Sequence, residues 1–83
     1  MMSVGLKTSF QKVLKDALGM DVIGKFGYET DLRETGVNSL TFIKAIVAIE
    51  NEFGFEFLDD ELDMSQYENF QDLIDFIERK KGG

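Results

Sequence analysis

The chain lacks cysteine, histidine, tryptophan and proline altogether among its 83 residues. Without cysteine it can form no disulfide. Without cysteine and histidine it can build no Cys/His zinc site, no Ser-His-Asp or Cys-His nucleophile, and no imidazole that titrates near neutral pH. A reactive group that takes part in chemistry on this chain is therefore expected to come from elsewhere, since the carboxylates of residues 56–63 read as a solvated acidic loop. No apolar run approaches the length of a membrane span. The opening residues Met1 to Lys7 lack the apolar stretch of a signal peptide, so the cytoplasm is the expected location.

What is present is ordinary for a folded domain: 43% apolar and 30% charged residues. The length allows one small domain, 1–83, with a thin core over about 6–78 and a basic, glycine-ended tail over 79–83. Charge is distributed unevenly. Residues 1–44 carry six basic and five acidic side chains, whereas residues 45–78 carry eleven acidic side chains and no lysine or arginine. Such a surface repels phosphate backbones, which argues against nucleic acid as a partner. It attracts proteins with a basic patch, although acidic residues also simply keep small domains soluble.

The apolar periodicity points to helices. Leu6, Phe10, Val13, Leu14 and Ala17 share one face over residues 6–18, and Gly19 is a stop. From Met20 to Gly36 the period fails, which predicts a long loop pinned to the core by Val22, Ile23, Phe26, Tyr28 and Leu32. Asn38 is a good N-cap for a helix from Ser39 to about Phe53, ended by Gly54. Phe55 to Leu62 reads as an acidic loop, and a short helix is expected within Asp63 to Glu68. Asn69 caps a last helix, in which Phe70, Leu73, Ile74 and Ile77 recur at i, i+3, i+4 and i+7. Arg79, Lys80 and Lys81 suit its C-terminus. The expectation is an all-α bundle of four helices, three main ones and one short, with a long first loop.

The helix that begins at Ser39 has two apolar stripes. Phe42, Ala45, Ile46, Ile49 and Phe53 form one, which is enough to anchor it. Leu40, Ile43 and Val47 form a second, on the far side of Glu50. The second is surplus for a thin bundle, and an exposed apolar stripe edged by charge is suited to protein docking. The alternative is a central helix that buries both stripes.

Ser39 lies in the first turn of that helix, after Asp31-Leu32-Arg33-Glu34-Thr35-Gly36-Val37-Asn38. Free backbone N–H groups and the helix dipole favour an anion there. Nothing adjacent in sequence could activate the hydroxyl as a nucleophile. Ser39 is therefore better read as a residue that is modified than as one that catalyses.

The whole pattern resembles the acyl carrier protein family, including the peptidyl carrier domains. The residues that carry the resemblance are Asp31-Leu32, then Gly36-Val37-Asn38-Ser39-Leu40. They are followed by Ala45-Ile46-Val47-Ala48-Ile49-Glu50-Asn51-Glu52-Phe53, with Gly54-Phe55-Glu56-Phe57 as the exit and Phe70 to Ile77 as the last helix. The resemblance implies that a phosphopantetheinyl transferase moves 4′-phosphopantetheine from coenzyme A onto the Ser39 hydroxyl, with Gly36, Asn38 and Leu40 as the surrounding motif. The thiol of the arm then carries an acyl, aminoacyl or peptidyl group as a thioester. The carrier itself does no catalysis. It docks on loading enzymes and downstream synthases through its second main helix, here Leu40, Ile43, Val47, Glu50 and Glu52, and a monomer is expected.

Asn38 departs from the aspartate that is commonest before the serine, a residue that helps the transferase recognise its substrate. Thr41 and Lys44 stand where fatty-acid carriers usually have acidic residues, which points to a stand-alone carrier of a specialised pathway, polyketide or nonribosomal peptide synthesis included. The rival reading is a helical adaptor of the same fold that is never modified. A calcium loop starting at Asp59 fails, because Met64 and Phe70 stand where it needs glycine and glutamate. A ubiquitin-like tail at Gly82-Gly83 would need a β-grasp sheet, so the glycines read as a frayed end.

Overall fold

The structure is a computed structural model that describes residues 2–82, with side chains from Gly5 to Lys81. Four α-helices carry it: α1 (Met2–Leu18), α2 (Val22–Phe26), α3 (Ser39–Phe53) and α4 (Phe70–Gly82). Single 3-10 turns occur at Leu32–Glu34, Asp59–Glu61 and Met64–Gln66. Among the described residues no helix is long and apolar enough to cross a membrane.

The core forms where the apolar stripes of the three long helices meet. α1 supplies Phe10, Val13 and Leu14, α3 supplies Phe42, Ala45, Ile46 and Ile49, and α4 supplies Phe70, Leu73, Ile74 and Ile77, all buried. Phe10 meets Phe70 edge to face, with ring centroids 6.3 Å apart. α1 packs most extensively against α3, which fixes α3 and hence the position of Ser39.

The long loop expected over residues 20–36 is partly helical. Asp21 accepts from the Gly24 N–H at 3.0 Å and caps α2, whose Val22 and Ile23 are buried. Five residues are too few for a helical period to show in sequence. Leu32 is buried as expected, and Phe26 and Tyr28 are half-buried. The end of this stretch is tied to the start of α4. Leu32 N–H donates to Glu68 O at 2.9 Å, beside an isolated bridge between Asp31 and Asn69.

The short helix expected within Asp63 to Glu68 is instead the 3-10 turn at Met64–Gln66, and the expected loop before it contains a second such turn at Asp59–Glu61. Tyr67 and Phe57 hold this segment down. The Tyr67 hydroxyl donates to Glu61 O at 2.8 Å, and burial together with the Glu61 carboxylate pushes the phenol up to about 12. Phe57 stacks on Phe76, with centroids 5.1 Å apart.

Asn69 caps α4 through its side-chain oxygen, which accepts from the Asp72 N–H at 2.9 Å. α4 continues through Arg79, Lys80 and Lys81, so these residues are helical. Lys81 Nζ donates to Phe53 O at 2.8 Å, at the last turn of α3, and Lys80 Nζ lies 3.5 Å from the Glu61 carboxylate. A cation on the C-terminal carbonyls of a helix is favourable. Of the frayed end expected at Gly82-Gly83, Gly82 is the last residue of α4 and Gly83 lies outside the described residues.

Candidate functional site

α3 begins where the sequence places it, at Ser39. Asn38 Oδ1 accepts from the Thr41 N–H at 3.0 Å, and Thr41 Oγ1 accepts from the Asn38 N–H at 2.9 Å. This reciprocal capping box uses two of the four donors that a helix start leaves open. The backbone N–H groups of Ser39 and Leu40 keep no partner among the described residues. Two open donors and the positive end of a 15-residue helix thus sit at Ser39.

Gly36 sets the approach to this turn. Its φ is +86°, which a side chain would strain, and it lets the chain leave the Leu32–Glu34 turn and enter α3. On either side, Val37 is buried, as is Thr35, whose hydroxyl donates to Leu32 O at 2.7 Å. The loop before Ser39 is therefore anchored twice, while Asn38, Ser39 and Leu40 all face solvent. The Ser39 hydroxyl has no hydrogen-bond partner among the described residues. It is held in the open at the start of a capped helix.

A groove runs from this turn to the Met64–Gln66 turn. Arg33, Val37, Asn38 and Ser39 border it on one side, and Asp63, Met64 and Ser65 on the other. No spacing along the chain brings Asp63 or Ser65 to Ser39, because the fold joins segments some 25 residues apart; Arg33 lies only six residues before the serine but carries no motif that marks it. Asp63 is well fixed. The Ser65 N–H and hydroxyl donate to it at 2.9 and 2.8 Å, and these hydrogen bonds hold its carboxyl below the usual range.

The two stripes of α3 separate cleanly. Phe42, Ala45, Ile46 and Ile49 are buried, whereas Leu40 is 70%, Ile43 39% and Val47 48% exposed. The exposed three line a shallow groove with Ala17 of α1 and with Lys44, Ala48 and Asn51 of α3. That groove is mostly apolar and begins one residue after Ser39. Of the two acidic residues expected on this face, Glu52 is exposed. Glu50 is turned toward the exit loop, where Oε2 accepts from the Phe57 N–H at 2.8 Å.

Among the described residues no group of acidic side chains is placed to hold a metal ion. What the site has is an exposed hydroxyl at a helix N-terminus, two open amides beside it, and an apolar face next to it. The first two suit a phosphate ester on Ser39, and the third suits a docked protein.

Comparison with known proteins bears on the same residues. Residues 8–77 match the family model described as "Phosphopantetheine attachment site". The chain is 37% identical over 81 residues to an acyl carrier protein of Solidesulfovibrio magneticus, covering 98% of this chain and 99% of that relative. No solved structure gave a significant match.

Proposed function

The chain belongs to the acyl carrier protein family, and from that premise we propose that Ser39 Oγ is the attachment point of its arm. The family carries a covalent 4′-phosphopantetheine, modifies no substrate itself, and receives its arm from a phosphopantetheinyl transferase. The observation that supports Ser39 is its geometry: an unpartnered, exposed hydroxyl in the first turn of α3, beside the open amides of Ser39 and Leu40.

In the loading step Ser39 Oγ forms a bond to the β-phosphorus of coenzyme A. The phosphoanhydride bond breaks, adenosine 3′,5′-bisphosphate leaves, and the hydroxyl proton goes to a base of the transferase. When bound, the arm supplies the thiol that this chain lacks, and the thiol holds an acyl, aminoacyl or peptidyl cargo as a thioester. The chain contributes the rest. Phe42 and Ile49 fix α3 in the core, Asn38 and Thr41 fix its first turn, and Gly36 brings the loop to it.

Leu40, Ile43 and Val47 are the docking face in this reading, with Glu52 at its edge. The partners are the transferase, a loading enzyme and downstream synthases in the cytoplasm. The N-terminal half of this face carries Thr41 and Lys44 and no carboxylate, which supports a specialised pathway over housekeeping fatty-acid synthesis. Full rescue of a strain that lacks its housekeeping carrier would refute that assignment.

Intact mass tests the attachment. The protein is incubated with coenzyme A, magnesium and a broad-specificity transferase. A gain of one phosphopantetheine in the wild type, absent in Ser39→Ala, is expected. No gain with several transferases on folded protein would leave the unmodified adaptor as the better reading.

A further inference from the structure

We propose that Arg33 is a positioning residue for the arm, and that its guanidinium moves from Asp31 to the phosphodiester formed on Ser39. This inference rests on the attachment proposed above. Arg33 and Ser39 border the same groove, and Arg33 is the only basic side chain among the residues that border it.

The guanidinium is available. Its pairing with Asp31 runs through Nε at 2.9 Å, on side chains 51% and 36% exposed. An ion pair so open to water contributes little and is readily exchanged. Asp31 is not stranded by the exchange, because its Oδ1 also accepts from the Arg33 N–H at 2.9 Å. That backbone hydrogen bond keeps the base of the arginine in place while its end moves.

A cation beside the diester is also favoured by the charges around it. Asp63 borders the opposite side of the groove as a fixed, ionised carboxylate, and the chain as a whole carries a net charge of −7. A new anion at Ser39 is repelled by both. Arginine answers this better than the open amides alone, since its planar fork matches two phosphate oxygens at once. Pairing with Arg33 would lay the first atoms of the arm along the groove, over Val37 and Met64. Without Arg33 the arm would project freely into solvent.

NMR of the intact protein in its apo and loaded forms tests this. Intact mass first establishes loading of the wild type, Arg33→Gln and Arg33→Lys. If the wild type does not load at Ser39, the attachment itself has failed and this inference falls with it. On loaded protein, the Arg33 Nε–H resonance is expected to shift from its apo position and to return toward it in 1 M salt. The phosphorus resonance is expected to move with salt in the wild type, to stay still in Arg33→Gln, and to recover part of its movement in Arg33→Lys. An Arg33 resonance that is unchanged on loading overturns the inference. So does a phosphorus resonance with the same salt dependence in the wild type and Arg33→Gln, whose amide spectrum serves as the control for folding.

Discussion

Glu50 Oε2 accepts a hydrogen bond from the Phe57 N–H at 2.8 Å, which ties the last turns of α3 to the segment that leaves it. Phe57 is buried and stacked on Phe76, so the exit loop is held at its backbone by one helix and at its ring by another. Glu50→Ala removes the acceptor and leaves a half-buried N–H unpaired. The expected loss is about 1–3 kcal/mol of stability, read from urea unfolding. Glu50→Gln keeps an acceptor at the same place and is expected to lose less than half as much. Equal losses for the two variants would mean that the charge, and not the hydrogen bond, is what matters.

The capping box at Asn38 predicts a second result. Asn38→Ala takes the acceptor from the Thr41 N–H and is expected to cost about 1 kcal/mol. Asn38→Asp keeps the acceptor and adds a negative charge at the N-terminus of α3, which favours the helix by about 0.3–1 kcal/mol. Thermal unfolding is expected to rank the three proteins with aspartate highest, then asparagine, then alanine. A melting temperature for Asn38→Asp below that of the wild type would contradict the cap geometry.

The two faces of α3 should respond in opposite ways to truncation. Phe42→Ala or Ile49→Ala empties space in the core and is expected to cost about 2–5 kcal/mol, which a domain this small cannot spare. Leu40→Ala and Val47→Ala truncate side chains that are exposed, Leu40 mostly and Val47 by about half, and should stay within about 0.5 kcal/mol of the wild type. If these two exposed residues form the docking face, their truncation should instead slow turnover by partner enzymes. Destabilisation of several kcal/mol in Val47→Ala would show that the exposed stripe is covered.

Acid should weaken the fold through three turns. Asp21 is held below its ordinary 3.8 by hydrogen bonds from the Gln11 side chain and the Gly24 N–H, Asp31 chiefly by the Arg33 N–H, and Asp63 chiefly by the Ser65 N–H. A depressed folded-state pKa gives stability that is fully present above the unfolded value and is lost as pH falls through the folded one. The contribution of these groups should therefore be constant from pH 7 to about pH 5 and decline below about pH 4. Urea midpoints at pH 6, 4 and 3 measure it. The variant with asparagine at all three positions should show a shallower decline, and an identical decline would remove these residues as its source.

Much of the fold was legible because it depends on local chemistry. The start of α3 at Ser39 follows from a cap, Asn38, set just ahead of an apolar period, and its end from Gly54, which adopts φ +77° and donates to Glu50 O. The burial of Phe42, Ala45, Ile46 and Ile49, and the exposure of Leu40 and Val47, follow from a helix with more apolar surface than one thin core can cover. α2 was missed, because a single turn has too few residues to repeat. The short helix expected within Asp63 to Glu68 is a 3-10 turn, and the Asp59–Glu61 turn before it carries no sequence period, because both are held by Phe57 and Tyr67 packing on the core more than by any period of their own.

The sequence by itself determined the helical class, the position of the serine at a helix start, and the two apolar stripes of α3, whereas the structure decided that the second stripe is the spare one. Each of the first three depends on residues within a few positions of one another, and periodicity and capping report such neighbours directly. Only the tertiary structure decided what surrounds that serine. Arg33, Asp63 and Ser65 share its groove because Leu32 is bonded to Glu68 and the Met64–Gln66 turn folds back beside α3. The same kind of long-range contact turned Glu50 toward Phe57 and set Lys81 on Phe53 O. Such contacts leave no period or cap to read along the chain, since they exist only once the core has brought the segments together.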